Sequence, residues 1–376
     1  MIYLDYAATT PIKPEVIDAM TKAQNKFFGN PSALHTPGHL SFNEIEKCRR
    51  IIADYIGALP SEIYFTSGST EGNNTIIRTF SDHEIETSDL EHHSVFESAN
   101  LLKGHRLPKL YSYMLANNET GDLFDLVQIS KKVRSLKPVD DSELFNSSIV
   151  TVTDKRGAYL HSDLTQAFGK IPIDVNDLKL DYGTISAHKI GGPTGIGVMY
   201  VRTGVPFKPL LIGGNQENGH RAGTYNTASI IGFASAVESA IKQDSFNRYD
   251  TSVRLLRDTL ARRILNEIPG SSLNTDLNKG KSLPNILNVS FKAAEGESIQ
   301  LYLDNHGIIV STGSACASGS ITPSHVLMAK TGDAEIAHSS IRFSFGLDNT
   351  MDDVDDVMKV LPGIVKQLQG MSTLNS

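Results

Sequence analysis

Short runs of β-branched and aromatic residues alternate with longer helix-period stretches through the first two-thirds of the chain. No other feature constrains the fold as much. Strand-like runs stand at residues 63–66, 148–152, 182–186 and 197–201, and helical patterns at 40–57 and 227–242. Antiparallel strands can be joined by a tight turn, whereas parallel strands need a crossover, usually a helix. The alternation therefore predicts an α/β domain around a largely parallel sheet. Further on, a helical stretch through Val253, Leu256, Leu260 and Ile264 meets Pro269-Gly270, a strong stop. Strands near 286–289, 308–310 and 341–344 then predict a smaller α+β domain. The last helix is expected to bury Val354, Val357, Met358 and Leu361, and to turn Asp352, Asp353, Asp355 and Asp356 to water.

With 376 residues the chain can support two cores. A formal charge of −7 gives no basic footprint for nucleic acid or an anionic membrane. No apolar run is long enough to span a bilayer. The start, from Met1 to Pro11, lacks the basic and apolar regions of a secretory signal. The chain has only two cysteines, in contrasting settings. Cys48 falls in line with Phe42, Ile45, Ile52 and Ile56 at helical spacing and reads as core filler. Cys316 lies among serine, glycine and alanine over 311–320, which predicts an exposed loop and a thiol kept for reactivity. The pair argues against a disulfide framework and for a reducing, cytoplasmic setting. No metal site is expected.

Several separated motifs carry chemistry. Ser186-Ala187-His188-Lys189 ends a strand and runs into a glycine-rich turn, the edge where α/β sheets bind ligands. Lys189 there could hold a cofactor aldehyde as a Schiff base, or be an ordinary surface lysine. In the run 161–166, Asp163 could keep a pyridine ring nitrogen protonated, and Gln166 could donate to a phenolic oxygen of the ring. The alternative for Asp163 is a helix N-cap. Residues 66–72, Thr-Ser-Gly-Ser-Thr-Glu-Gly, follow a strand and open a helix. They form either a phosphate cradle or a plain capped helix. His92, in Glu91-His92-His93, could stack on a ring and shuttle protons, or be surface polarity. Asn118, in Asn117-Asn118-Glu119, could place an amide near the ring oxygen or a substrate carboxylate, or belong to a turn. Arg342 stands in an otherwise apolar alternation over 339–346. A buried arginine needs an anion, supplied by a substrate carboxylate or by an internal salt bridge.

Taken together with Asp5-Tyr6-Ala7-Ala8-Thr9-Thr10-Pro11 and Gly29-Asn30-Pro31-Ser32, these motifs occur in the order seen in cysteine desulfurases. The chain resembles that family of pyridoxal-phosphate enzymes, within the class V aminotransferases, from residue 2 to about residue 346. The run around Cys316 resembles the group I enzymes. The resemblance implies the aspartate aminotransferase fold (type I), with a mostly parallel sheet of the seven-stranded type. It implies a large cofactor domain over 12–255 and a small domain made of 1–11 with 256–376. Lys189 is then expected to bind pyridoxal 5'-phosphate covalently, Asp163 to pair with its ring nitrogen, and His92 to stack on the ring and act as an acid–base group. Gln166 and Asn118 are expected near the ring hydroxyl. Ser69, Thr70, Ser186 and His188 are expected to hold the phosphate, and Thr224 to reach the phosphate of a second subunit in a homodimer. Arg342 is expected to grip the carboxylate of L-cysteine. Cys316 is expected to carry sulfur as a persulfide to an acceptor protein of iron–sulfur assembly or thiolation. The chain departs from the family in a short 96–116 segment, a long 119–162 segment, and Asn215, Asn218 and His220 in the run that leads to Thr224.

Overall fold

The computed structural model describes residues 1–102, 106–136, 153, 156–312 and 323–371. The strand expected at 148–152 and the loop of Cys316 lie outside the described residues. The chain divides into two compact units. One comprises Met1–Thr10, Ala116–Leu123 and Asp244–Ser376, and the other Pro11–Leu115 and Phe124–Gln243.

After β1 (Ile2–Tyr3) in the first unit, the chain builds the second. That unit holds α1 (Pro14–Lys26), α2 (Thr36–Tyr55), β2 (Ile63–Thr66), α3 (Ser69–Thr79), β3 (His83–Thr87), α4 (His93–Leu101) and β4 (Arg106–Ser112). It continues with α5 (Leu126–Arg134), β5 (Tyr159–Asp163), β6 (Tyr182–Ser186), β7 (Gly197–Val201) and α6 (Thr227–Lys242). Among the described residues its sheet has six strands in the order β2-β7-β6-β5-β4-β3. β3, β4, β5 and β6 run parallel, and β7 runs antiparallel to both its neighbours. Every residue of β5, β6 and β7 is buried, as expected for strands covered on both faces. Edge strand β3 is half-exposed and carries Glu84 and Glu86, charges that discourage pairing with another chain. The short segment after His92 therefore still holds one helix and one parallel strand.

The helices follow local signals. In α2, Ile45, Cys48 and Ile52 form the buried stripe and Ile56 follows it inward. Cys48 is core filler, and burial pushes its thiol up to about 12. Phe42, placed on the same stripe by its spacing, is instead exposed. α6 begins at Asn226, whose side chain accepts from the Ser229 N–H, and it packs on α1 and α2.

The first unit pairs β1 in parallel with β10 (Ile308–Ile309). It also holds a three-stranded antiparallel sheet, in the order β11 (Ser340–Ser344), β9 (Ile286–Phe291), β8 (Ser271–Leu273). Helices α7 (Arg254–Glu267), α8 (Gly296–Asn305), α9 (His325–Thr331), α10 (Ala334–His338) and α11 (Met351–Met371) complete it. Its core joins Leu256, Leu260 and Ile264 of α7 to Leu287, Val289, Ile341 and Phe343 of the sheet. Val354, Val357, Met358 and Leu361 of α11 close over them, while Asp352, Asp355 and Asp356 stay exposed. No helix among the described residues is long and apolar enough to cross a membrane.

Gly197 shows how tightly the larger sheet is closed. A Cβ there would lie 2.4 Å from the Ile185 carbonyl oxygen and 2.7 Å from the Gly68 Cα, both backbone atoms. Gly197→Ala is expected to lower unfolding free energy by about 1–3 kcal/mol in urea titrations, because strand and turn must separate.

Candidate active site

The carboxyl ends of parallel strands leave exposed backbone and the turns that follow them, which is where α/β sheets collect ligands. In the larger unit, β5 ends at Asp163 and its neighbour β6 at Ser186. Asp163 is buried, and both carboxylate oxygens are held. Oδ1 accepts from the Thr165 N–H at 2.9 Å, and Oδ2 from Asn73 Nδ2 at 2.8 Å. The Oδ1 bond is a local Asx-type contact, but no helix starts there, so Asp163 is not an N-cap.

Beyond Ser186, a single 3-10 turn, Ala187–Lys189, carries His188 and Lys189, both half-buried. Gly191 and Gly195 follow with φ of 81° and 75°, conformations that glycine adopts without cost. Burial, then the charges of Lys189 and Lys170, push the His188 imidazole down to about 4, so it is neutral at pH 7.

Ser69 and Thr70 open α3. The Ser186 hydroxyl accepts from the Ser69 N–H at 2.8 Å and donates to the Ser69 hydroxyl at 2.9 Å. Strand end and helix start thus share a cluster of hydroxyls at a helix N-terminus, where the partial positive charge favours an anion. Thr70 is exposed beside them.

His92 is the N-cap of α4 rather than a free loop residue. Its Nδ1 accepts from the Ser94 N–H at 3.1 Å, which leaves the ring proton of the neutral form on Nε2. The preceding Glu91 is fully buried, accepts from the Met114 N–H at 2.8 Å, and is pushed by burial up to about 8. Gln166 is buried, and its backbone carbonyl oxygen accepts from Lys170 Nζ at 2.9 Å.

Thr224 is exposed in a loop that is otherwise firmly anchored. Arg49 grips Glu217 through two bonds of 2.7 Å, and Glu217 also accepts from the Phe65 N–H. Glu217 and Asn218 have φ of 48° and 53°, and asparagine tolerates that region better than most residues. His220 stacks on Tyr64 with centroids 4.0 Å apart. Thr224 lines a cleft of about 190 Å³ with Phe65, Ser67, Gly195 and Arg221.

Arg342 and Asn118 belong to the other unit. Arg342, 3% exposed, donates from Nη2 to Asp5 Oδ1 at 2.8 Å and from Nη1 to the Asn118 carbonyl at 2.9 Å. The internal salt bridge is therefore present. It does not saturate the guanidinium, because the buried Nε–H has no acceptor among the described residues and the group carries five donors. Asn118 Oδ1 is likewise buried without a partner among the described residues. Beside Arg342, burial pushes Glu119 up to about 7.

The larger unit thus brings Lys189, Asp163, Gln166, His92, Ser69, Thr70, Ser186, His188 and Thr224 into one body, and the smaller unit holds Arg342 with Asn118. Cys316 lies outside the described residues. Sequence reasoning missed Asn73, Asp5 as a counter-ion, and the buried Lys170. The signal for Asn73 was its place four residues after Ser69, on the same helix face. A carboxylate, a neutral imidazole, an amine and a hydroxyl-lined helix N-terminus suit a ligand with a basic ring nitrogen, a carbonyl and a phosphate.

Comparison with known proteins agrees. Residues 2–357 match the model of the class V aminotransferases. The cysteine desulfurase IscS of Dictyoglomus turgidum is 38% identical over 99% of this chain and 96% of its own. A NifS-like protein from Rickettsia africae has a solved structure with a TM-score of 0.82, at 31% identity over 97% of this chain and 99% of its own. SspA, solved in complex with cysteine, gives 0.73 at 29% identity over 92% of this chain and 99% of its own. The chain belongs to the class V aminotransferase family and, within it, to the cysteine desulfurases.

Lys170 gives this region a pH signature. Its side chain is 1% exposed, and burial, with the Lys189 charge adding, pushes its ammonium down to about 7. Between about pH 7 and pH 10 the unfolded chain holds more protons than the folded one, so stability rises with pH across that window. Lys170→Met is expected to flatten this slope and to stabilise cofactor-free protein by about 1–3 kcal/mol more at pH 6 than at pH 10, measured by urea unfolding.

Proposed function

We propose that this protein converts L-cysteine to L-alanine and captures the sulfur on Cys316. The observation that carries this reading is Asp163, buried at the end of β5 with both oxygens held by donors, in the same unit as Lys189 and the hydroxyls of Ser69 and Ser186. Those residues fit pyridoxal 5'-phosphate, which, when bound, supplies an electron sink for the substrate's α-carbon.

Lys189 would hold the cofactor by its amine and then take the α-proton of the substrate. Asp163 would face the ring nitrogen, and His92 the ring, with its Nε2–H able to serve in proton transfer. Gln166 and Asn118 would contact the ring hydroxyl. Ser69, Thr70, Ser186 and His188 would hold the phosphate, with His188 donating as a neutral imidazole. Arg342, with donors left beyond Asp5 and Asn118, would bind the substrate carboxylate. The Cys316 thiolate would attack the substrate sulfur. One S–S bond forms, one C–S bond breaks, and the carbon takes a proton, so L-cysteine and a thiol become L-alanine and a persulfide.

Exposed Phe28, Leu34, Leu40, Phe42, Leu211 and Ile212 in the larger unit support docking of a second copy, whose phosphate site Thr224 would complete. The persulfide would pass to an acceptor protein of iron–sulfur assembly or thiolation, as the name IscS of a relative suggests. A cytoplasmic location suits a reactive persulfide.

Purified protein supplied with pyridoxal phosphate and L-cysteine should release alanine, with sulfur on Cys316 found by mass spectrometry. Cys316→Ser should lose at least about 99% of alanine formation, consistent with removal of a covalent nucleophile. Alanine release undiminished in that variant would point instead to a lyase that needs no thiol.

A further inference from the structure

The two cofactor-facing groups assigned above, Asp163 and His92, come from different elements, the end of β5 and the start of α4. Asn73 of α3 stands between them, with a side chain wholly buried. Its Nδ2 donates to Asp163 Oδ2 at 2.8 Å and to the Ser94 hydroxyl at 2.8 Å. Its Oδ1 accepts from the Thr184 hydroxyl of β6 at 2.6 Å. The Ser94 hydroxyl in turn lies 2.8 Å from His92 Nδ1. That nitrogen already accepts from the Ser94 N–H, so it presents a lone pair and the hydroxyl proton points toward it.

The polarity of the chain is set throughout. A carboxylate offers only acceptors, so the amide must present nitrogen to Asp163 and oxygen to Thr184. Both Nδ2 protons are then used, one on the carboxylate and one on Ser94. Leucine keeps the branched outline of asparagine, with bulkier ends, and makes none of its bonds. Aspartate would set a second carboxylate against the first.

We propose that Asn73 and Ser94 form a positioning pair that fixes the Asp163 carboxylate and the His92 ring relative to one another. Asn73 acts on both groups, and Ser94 acts on His92 alone. The pair is distinct from the residues expected to touch the cofactor, and the proposal rests on Asp163 and His92 being such residues.

The test uses the full chain with Asn73→Leu, Ser94→Ala and Ser94→Thr. The first readout is the ring 15N–1H spectrum of cofactor-free protein, with His92 assigned by its loss in His92→Gln. Wild type should show one sharp His92 set with the proton on Nε2. Ser94→Ala and Asn73→Leu should broaden or split it, and Ser94→Thr, which keeps the hydroxyl, should restore it. The second readout is the dissociation constant of pyridoxal phosphate, titrated by absorbance into cofactor-free protein. Asn73→Leu should raise it about tenfold or more, the effect of leaving a buried carboxylate oxygen and a hydroxyl without donors. Ser94→Ala, which leaves the Asp163 bonds intact, should raise it less. Unchanged His92 signals in Ser94→Ala would overturn the proposal, and so would wild-type cofactor affinity in Asn73→Leu. Should Asn73→Leu fail to fold, the comparison of Ser94→Ala with Ser94→Thr decides alone. Wild-type cofactor binding by both His92→Gln and Asp163→Ala would overturn the assignment beneath the proposal. That failure is told apart because the ring signals of Ser94→Ala would still change.

Discussion

A carboxylate taken into a protein interior costs several kcal/mol unless donors replace the water it loses. The larger unit meets that cost at Asp163. β5 delivers the residue to the end of a fully buried strand, the chain then turns so that the Thr165 N–H reaches one oxygen, and α3 brings Asn73 to the other. Because Asn73 also binds Thr184 and Ser94, the same amide ties β6 and α4 to that carboxylate. The ends of β5 and β6, α3 and the start of α4 are therefore joined in one hydrogen-bonded network.

The same economy governs Arg342 in the smaller unit. Asp5 supplies the counter-charge that lets a guanidinium lie within β11, and the Asn118 carbonyl takes a second donor. Neither uses Nε, so the arginine is held in place with a donor to spare among the described residues. A residue with no counter-ion would be too costly to bury, and one fully saturated would have nothing to offer a substrate carboxylate.

Much of this was legible in the sequence where apolar periodicity and burial coincide. The run 227–242 was read as a helix and is one, with Asn226 as its cap, and the apolar faces of α7 and α11 lie where their spacing puts them. Strands β3 and β4 escaped notice, β3 because most of its residues are polar and β4 because Pro108 and two basic residues interrupt it. β5 reads Tyr-Leu-His-Ser-Asp, a poor strand by composition, yet all five of its residues are buried. Asn73 resembles a solvent-facing helix residue and is wholly buried. Phe42 errs the other way, its spacing placing it in a core that is narrower than the helix pattern implies.

Lys189 is the amine expected to hold pyridoxal phosphate in this unit. Borohydride fixes a cofactor carbonyl to the amine that carries it, and peptide mass mapping then names the residue. One pyridoxyl group per chain is expected, on the peptide containing Lys189, and none on the buried Lys170. A pyridoxyl group on Lys170, or cofactor bound tightly yet fixed to no lysine, would contradict it.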